Sequence, residues 1–428
     1  MNNFFVALFA FLVIPTLVSR VLRISRFLPL VFLQLMFGVA LNASGVTAML
    51  KASDIDLLQG GLASALQGLG WLGVALLIAV TGSEVAPDPQ SEPQARWRVA
   101  LISILGFAGT WAAGGSLAYG LALMHPALIG PLATPWIFGI GVGLALAVTA
   151  LPVLVVIVRQ AGLNDHPVAR LAVQCAMLDD LWLWLGMTVV LAYASSATTS
   201  PLVLMAGLSG YLLAMLGVIR PLLRRWYGRP GAKNELDALM VAVATILISA
   251  AVTGMIGLHS LFGAFMAGAI LPREALRNWR EPLQQLLHML LLPAFFILTG
   301  LKLVVDLHSP MFWQLASVLT IGAVAGKMLV AAVGARLSGL PWKTGFALGS
   351  LMQCKGLMEL VAISILLDAG IIGKEIFSAL AMMAVVSTFV TLPLARLLFG
   401  RVATAPAPYE TDPEPAPAPQ LGRSGSLA

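Results

Sequence analysis

Charge is what this chain has least of. Of 428 residues, 25 are Lys or Arg and 19 are Asp or Glu, together 10%, against about a quarter in an ordinary soluble domain. With 59% of the residues hydrophobic, a soluble globular protein is excluded. The ten-residue alternation of apolar and polar positions that marks a membrane β-barrel is also missing. Cysteine is nearly absent. Cys175 and Cys354 both lie in apolar stretches, so a disulfide framework is excluded and packing is their expected role. The His-Glu-x-x-His, paired Gly-x-Gly-Asp and Ser/His signatures of an intramembrane enzyme do not occur. No enzymatic activity and no cofactor is expected. The opening Met1-Asn2-Asn3 lacks the basic segment of a cleaved signal. The first bases, Arg20, Arg23 and Arg26, follow the first apolar run, so that run reads as a first span.

What the chain has is one apolar run after another, each near the 20 or so residues that cross a bilayer as a helix. The expectation is an all-α polytopic membrane protein with about thirteen spans. They fall near 3–19, 28–43, 63–82, 98–124, 135–160, 169–195, 200–220, 237–256, 259–272, 285–305, 311–336, 342–367 and 373–399. The ninth is short and carries Gly263, Ala264, Ala267 and Gly268, which suits close helix contact. The net charge of +6 is confined to short loops and reads as a topology signal, not a nucleic-acid patch. With the N-terminus outside, inner segments up to Arg401 hold 19 Lys and Arg, including Arg220, Arg224, Arg225, Arg229 and Lys233. Outer loops hold three, Lys51, Lys302 and Lys374. This predicts a multi-pass cell-membrane protein, embedded in the lipid bilayer, with its N-terminus outside and its C-terminus in the cytoplasm. Residues 402–428, rich in Ala and Pro, are expected to form a disordered cytoplasmic tail.

An internal repeat runs through the spans. Pro135-Trp136-Ile137-Phe138-Gly139 recurs 206 residues later as Pro341-Trp342-Lys343-Thr344-Gly345. The same offset pairs Gly143 with Gly349, Leu151 with Leu357 and Leu154 with Leu360. The two copies are spans five and twelve, seven apart, and therefore cross in opposite directions. Inverted repeats of this kind are a mark of secondary transporters. Each copy has a place where a helix should fail. In the first, Pro152 follows Thr149-Ala150-Leu151 and leaves the carbonyl of residue 148 without its helical donor. In the second, Gln353-Cys354-Lys355-Gly356 places polar residues and a glycine at mid-span. Broken backbone is tolerated at this depth where it lines protein or a cavity. Two broken, crossing helices would gather half-helix ends, free carbonyls and the Thr149 hydroxyl around one point.

The ionisable residues at depth are few: Asp179, Asp180, Lys327, Lys355 and Glu359. Acids in a membrane span are rare and functional by default, and adjacent ones project about 100° apart on a helix. Asp179 and Asp180 therefore predict an ion or proton site at mid-membrane. Lys355 and Glu359, four apart, are expected to pair on one helix face. Lys327 then needs one of the two aspartates, and the other is left to bind a small alkali cation or a proton. A channel or a sodium-coupled symporter on similar repeats is the alternative. Trp182 and Trp184, just past the acids, argue against an open pore, and a symporter has no need of adjacent acids.

Several stretches together resemble the cation:proton antiporter family. They are Ala147-Val148-Thr149-Ala150, Leu178-Asp179-Asp180, Gly263 to Gly268, Phe295-Phe296-Ile297-Leu298-Thr299-Gly300-Leu301, Gly326-Lys327, and Gln353-Cys354-Lys355-Gly356-Leu357-Met358-Glu359-Leu360. The resemblance covers about residues 5–400. It implies exchange of a monovalent cation, Na⁺ or K⁺, for protons by alternating access. It implies a homodimer in which a static interface domain flanks a mobile core domain, spans about 98–195 and 285–367, holding the two broken helices. It further implies that Asp180 carries cation and proton in turn while Asp179 pairs with Lys327.

Overall fold

The computed structural model describes residues 2–21, 30–52, 57, 59–84, 93–163, 166–194, 201–228, 235–276, 278–303 and 309–400. The predicted tail 402–428, and Arg23, Arg26, Arg229 and Lys233 among the loop bases, lie outside them. The helices are α1 (Asn2–Val21), α2 (Leu30–Ala43), α3 (Val46–Ala52), α4 (Gly60–Glu84), α5 (Pro93–Met124), α6 (Pro135–Ala147) and α7 (Leu151–Gln160). There follow α8 (Pro167–Ala194), α9 (Pro201–Ala214), α10 (Arg220–Tyr227), α11 (Glu235–Met255), α12 (Ser260–Ile270), α13 (Arg273–Leu276) and α14 (Arg280–Leu286). The last five are α15 (Leu292–Lys302), α16 (Pro310–Leu337), α17 (Trp342–Met352), α18 (Leu357–Asp368) and α19 (Lys374–Phe399). Single π-turns at Met215–Ile219 and Leu287–Leu291 join α9 to α10 and α14 to α15. Among the described residues the only extended pairing is an isolated antiparallel bridge, Ile129 to Ile372.

The chain is a multi-pass membrane protein. Ten helical segments among the described residues are long and apolar enough to cross a membrane, or eleven with the bent pair α17–α18. The second and ninth predicted spans fall on shorter apolar helices, Phe32–Ala43 and Ser260–Ile270.

Small residues set the helix contacts, as expected in lipid, where close backbone approach replaces the hydrophobic driving force. A Cβ on Gly268 of α12 would overlap the Ala79 carbonyl of α4, and one on Gly263 would overlap the Ser249 carbonyl and Thr253 hydroxyl of α11. Gly268→Leu is therefore expected to destabilise the protein by about 1–3 kcal/mol, read as a lower melting temperature in detergent.

The repeat is visible in the same terms. α6 and α17 each lie along the long helix before them, α5 and α16 respectively. A Cβ on Gly143 would meet the Trp111 carbonyl at 2.7 Å, and one on Gly349 would meet the Met328 carbonyl at 2.9 Å. The shared Gly-x-x-x-Gly is thus a packing device used twice. The breaks are also in register: residues 148–150 and 354–356 are non-helical, separated by the offset of 206 that relates the repeats.

α15, placed by the sequence with the broken helices, lies against α2 and α4. α19, placed outside that group, packs on α16, α17 and α18.

Candidate functional site

The site forms where the two breaks cross. α6 ends at Ala147, and Val148, Thr149 and Ala150 run extended. Pro152 is not the residue that opens this break. It occupies the first turn of α7, where a backbone N–H has no helical partner to lose. In the second copy α17 and α18 meet at 59° across Gln353–Gly356. The two non-helical stretches are bonded to each other: the Ala150 amide donates to the Cys354 carbonyl at 3.0 Å. Gly356 makes this approach possible, since a Cβ there would sit 2.7 Å from Val153 Cγ2 and 3.3 Å from Ala150 Cβ. Gln353 anchors the second break to α19, its Nε2 donating to Thr391 Oγ1 at 2.6 Å and the Ser387 carbonyl at 3.2 Å. Thr388 Oγ1 adds a bond to the Lys355 carbonyl at 2.5 Å. Cys354 is fully buried and a free thiol.

Both aspartates of α8 are fully buried beside this crossing. Of the two, Asp179 holds Lys327. Its Oδ2 accepts from Lys327 Nζ at 2.7 Å and from Thr149 Oγ1 at 2.8 Å, and its Oδ1 accepts from Ser103 Oγ of α5 at 3.2 Å. Three donors make an ionised carboxylate tolerable at this depth, where a lone charge is not. Lys327 also donates to the Ala147 carbonyl at 2.6 Å, and its ammonium lies 6.0 Å over the Phe107 ring. Thr149 Oγ1 has a second acceptor, the Met352 carbonyl of α17, at 2.7 Å. A hydroxyl has one proton, so it serves one of these acceptors at a time. Asp180, the next residue on α8, points about 100° away from Asp179 around the helix.

The expected Lys355–Glu359 pair is not made. Lys355 instead reaches across to the C-terminus of α6, donating to the carbonyls of Leu146 at 2.5 Å, Val148 at 2.9 Å and Ala145 at 3.3 Å. The four-residue spacing argument assumes a continuous helix, and Lys355 lies in the non-helical stretch before α18. The Val148 carbonyl, left free by the extended backbone of the break, is one of those Lys355 takes. With Lys327 on Ala147, the last four carbonyls of the half-helix face two ammonium groups, matching the negative end of its dipole. Glu359 falls in the first turn of α18, at the positive end of that half-helix.

Ser103, Thr388 and Thr391 were missed by sequence reasoning. Each is a hydroxyl in a largely apolar span, and such a residue ordinarily bonds back to its own helix, as Thr388 also does with Ala384 at 2.7 Å. The lone signal was Ser103 buried in an otherwise apolar stretch.

Comparison with known proteins follows this geometry. Residues 7–399 match the family described as sodium/hydrogen exchanger, transmembrane. Cation/H(+) antiporter 17 of Arabidopsis thaliana is 28% identical over 398 residues, 91% of this chain and 47% of the relative. Na(+)/H(+) antiporter NhaS4 of Synechocystis is 30% identical over 265 residues, 60% of this chain and 64% of the relative. The chain thus spans between a third and a half of the Arabidopsis relatives it matches. The sodium proton antiporter MjNhaP1 of Methanocaldococcus jannaschii, solved at pH 8, superposes with a TM-score of 0.56 at 14% identity, covering 95% of this chain and 99% of that one. That likeness extends the fold match over nearly the whole length. The chain belongs to the sodium/hydrogen exchanger transmembrane family.

Proposed function

We propose that the protein is a secondary antiporter exchanging a monovalent cation, Na⁺ or K⁺, for protons by alternating access. The observation that carries this reading is a pair of adjacent, fully buried aspartates beside two broken helices that cross and bond to each other. Lys327 is engaged with Asp179, so we assign cation and proton carriage to Asp180. The Thr149 hydroxyl, bonded to the neighbouring Asp179, is the further hard oxygen we assign to the site. A carboxylate with neutral oxygens suits a partly dehydrated alkali cation, and the same carboxylate can take a proton instead. The carboxylate then serves either cargo, never both, which is what couples the two fluxes.

The mobile body in this reading comprises α5 to α8 with α16 to α19, moved against α2, α4, α11, α12 and α15. The first break belongs to the same body as the aspartates, so the site travels as a unit. A homodimer in the cell membrane, with the N-terminus outside and the C-terminus cytoplasmic, follows from the family resemblance and from the excess of bases on one side.

The deciding experiment reconstitutes the protein in liposomes with a preset pH gradient and adds Na⁺, K⁺ or Li⁺ to the outside. At least one cation should collapse the gradient. No cation-dependent pH change with any of the three, or cation flux without proton counterflow as in a channel or symporter, overturns the reading.

Thr149→Val removes the hydroxyl between Asp179 and Met352. A hydrogen bond to a charged group contributes about 1.5–3 kcal/mol, so exchange is expected to fall roughly tenfold to a hundredfold. Thr149→Ser, which keeps the hydroxyl, should restore most of it in the same liposome assay.

A further inference from the structure

Glu359 is the one buried acid whose role the site does not explain. It is fully buried, and neither carboxyl oxygen makes a hydrogen bond. A bare carboxylate in such a place is far costlier than a neutral acid. The nearest cation is Lys355, within electrostatic reach. But an ammonium has three N–H donors, and all three of Lys355 point to α6 carbonyls, at 2.5, 2.9 and 3.3 Å. Lys355 can serve Glu359 only by leaving α6.

Among the described residues the other surroundings hold no rival. α6 carries no titratable side chain. On α19 the charged residues Lys374, Glu375 and Arg396 sit in the first and last turns. On α8 Asp179 is bonded to Lys327, Thr149 and Ser103, and Asp180 is the carrier assigned above. The Cys354 thiol is the remaining titratable group within electrostatic reach. Glu359 shares a face of α18 with Leu366, two turns on, and Leu366 packs against Gly141 of α6. The acid and the carbonyls held by Lys355 therefore border the same helix.

We propose that Glu359 is a second proton-releasing carboxyl, and that Lys355 has two seats. In the first, Glu359 carries its proton and the Lys355 ammonium holds the end of α6, the position it occupies here. In the second, Glu359 has lost its proton to water on the open side, and the ammonium has moved to the new carboxylate. The α6 carbonyls are then released, and with them one of the ties between the two repeat copies. Local charge falls by one as the proton leaves. The proposal rests on the antiporter reading for its place in a transport cycle, but its chemistry is testable without transport.

The experiment is infrared spectroscopy of the reconstituted full chain, recorded from neutral to alkaline pH, for wild type and Glu359→Gln. The difference spectrum should contain a protonated-carboxyl C=O band that Glu359→Gln removes and that wild type loses on alkalisation. In Lys355→Gln, which offers no ammonium to the carboxylate, the loss should move up by at least about one pH unit, a tenfold change in proton affinity. Absence of the band in wild type, its persistence across the whole range, or a loss unmoved in Lys355→Gln each overturns the proposal. If Lys355→Gln does not fold, wild type and Glu359→Gln decide it through exchange: the alkaline limb of the wild-type pH profile should be flattened in Glu359→Gln, and an unchanged limb refutes the two-seat model. A band that behaves as expected in a protein that exchanges nothing would instead condemn the antiporter reading alone.

Discussion

Asp180→Asn is expected to abolish cation-dependent proton movement while leaving the protein folded. Asn is close to isosteric with Asp, and a neutral amide at a fully buried position avoids the cost of a buried charge. The fold should therefore survive with a melting temperature at or above that of wild type. Function should not, because the amide neither binds a proton near neutral pH nor presents an anion to a cation. Exchange should fall below about a tenth of wild type, equivalent to more than 1.4 kcal/mol, for every cation tested. The measurement pairs gradient collapse in liposomes with thermal melting in detergent. Exchange persisting above that level in a folded variant would remove Asp180 from the carrier role, and Asp179→Asn would then be the variant to compare.

The placement of this site was legible in the sequence because the repeat is. Proline and tryptophan at 135–136 and 341–342, with glycines four and eight residues beyond each proline, set both copies in register. That register places the breaks at 148–150 and 354–356. The adjacent aspartates were legible because ionisable residues are so rare in the spans. What failed were inferences that assumed continuous helix. Lys355 was paired with Glu359 by helical spacing, yet the backbone between them leaves the helix at residues 354–356. Pro152 was read as a helix breaker in mid-span, yet it begins a helix and sits there at little cost. The partners of Asp179 from other helices, Ser103 above all, depend on how α5 lies against α8, which periodicity cannot supply. The second and ninth predicted spans fall on α2 and α12. These helices are short, and glycines draw them close to α15 and to α4.

Lys327→Gln is expected to have the largest effect on stability and to reveal the charge that moves in transport. Lys327 and Asp179 are both fully buried, 2.7 Å apart, and the ammonium also holds the Ala147 carbonyl. Removing one partner of such a pair costs about 3–5 kcal/mol, because the other charge is left in place. Removing both can be close to neutral. Lys327→Gln alone should therefore melt well below wild type, and Lys327→Gln with Asp179→Asn should recover most of the loss. A double variant no more stable than the single would mean that the pair does not carry the effect. The transport expectation follows from charge. Two ionised aspartates beside one ammonium leave a net charge of −1, which welcomes a monovalent cation. If cation entry draws Asp179 away, Lys327 loses its anion and can release its proton, so that two protons exchange for one cation and the process responds to voltage. The double variant removes both groups from this step and leaves Asp180 as the single carrier, exchanging one proton for one cation. In liposomes with an imposed membrane potential, wild type should then respond and a surviving Lys327→Gln or double variant should not. A variant that exchanges and follows the potential as wild type does would exclude the lysine from the transported charge while leaving Asp180 as the carrier.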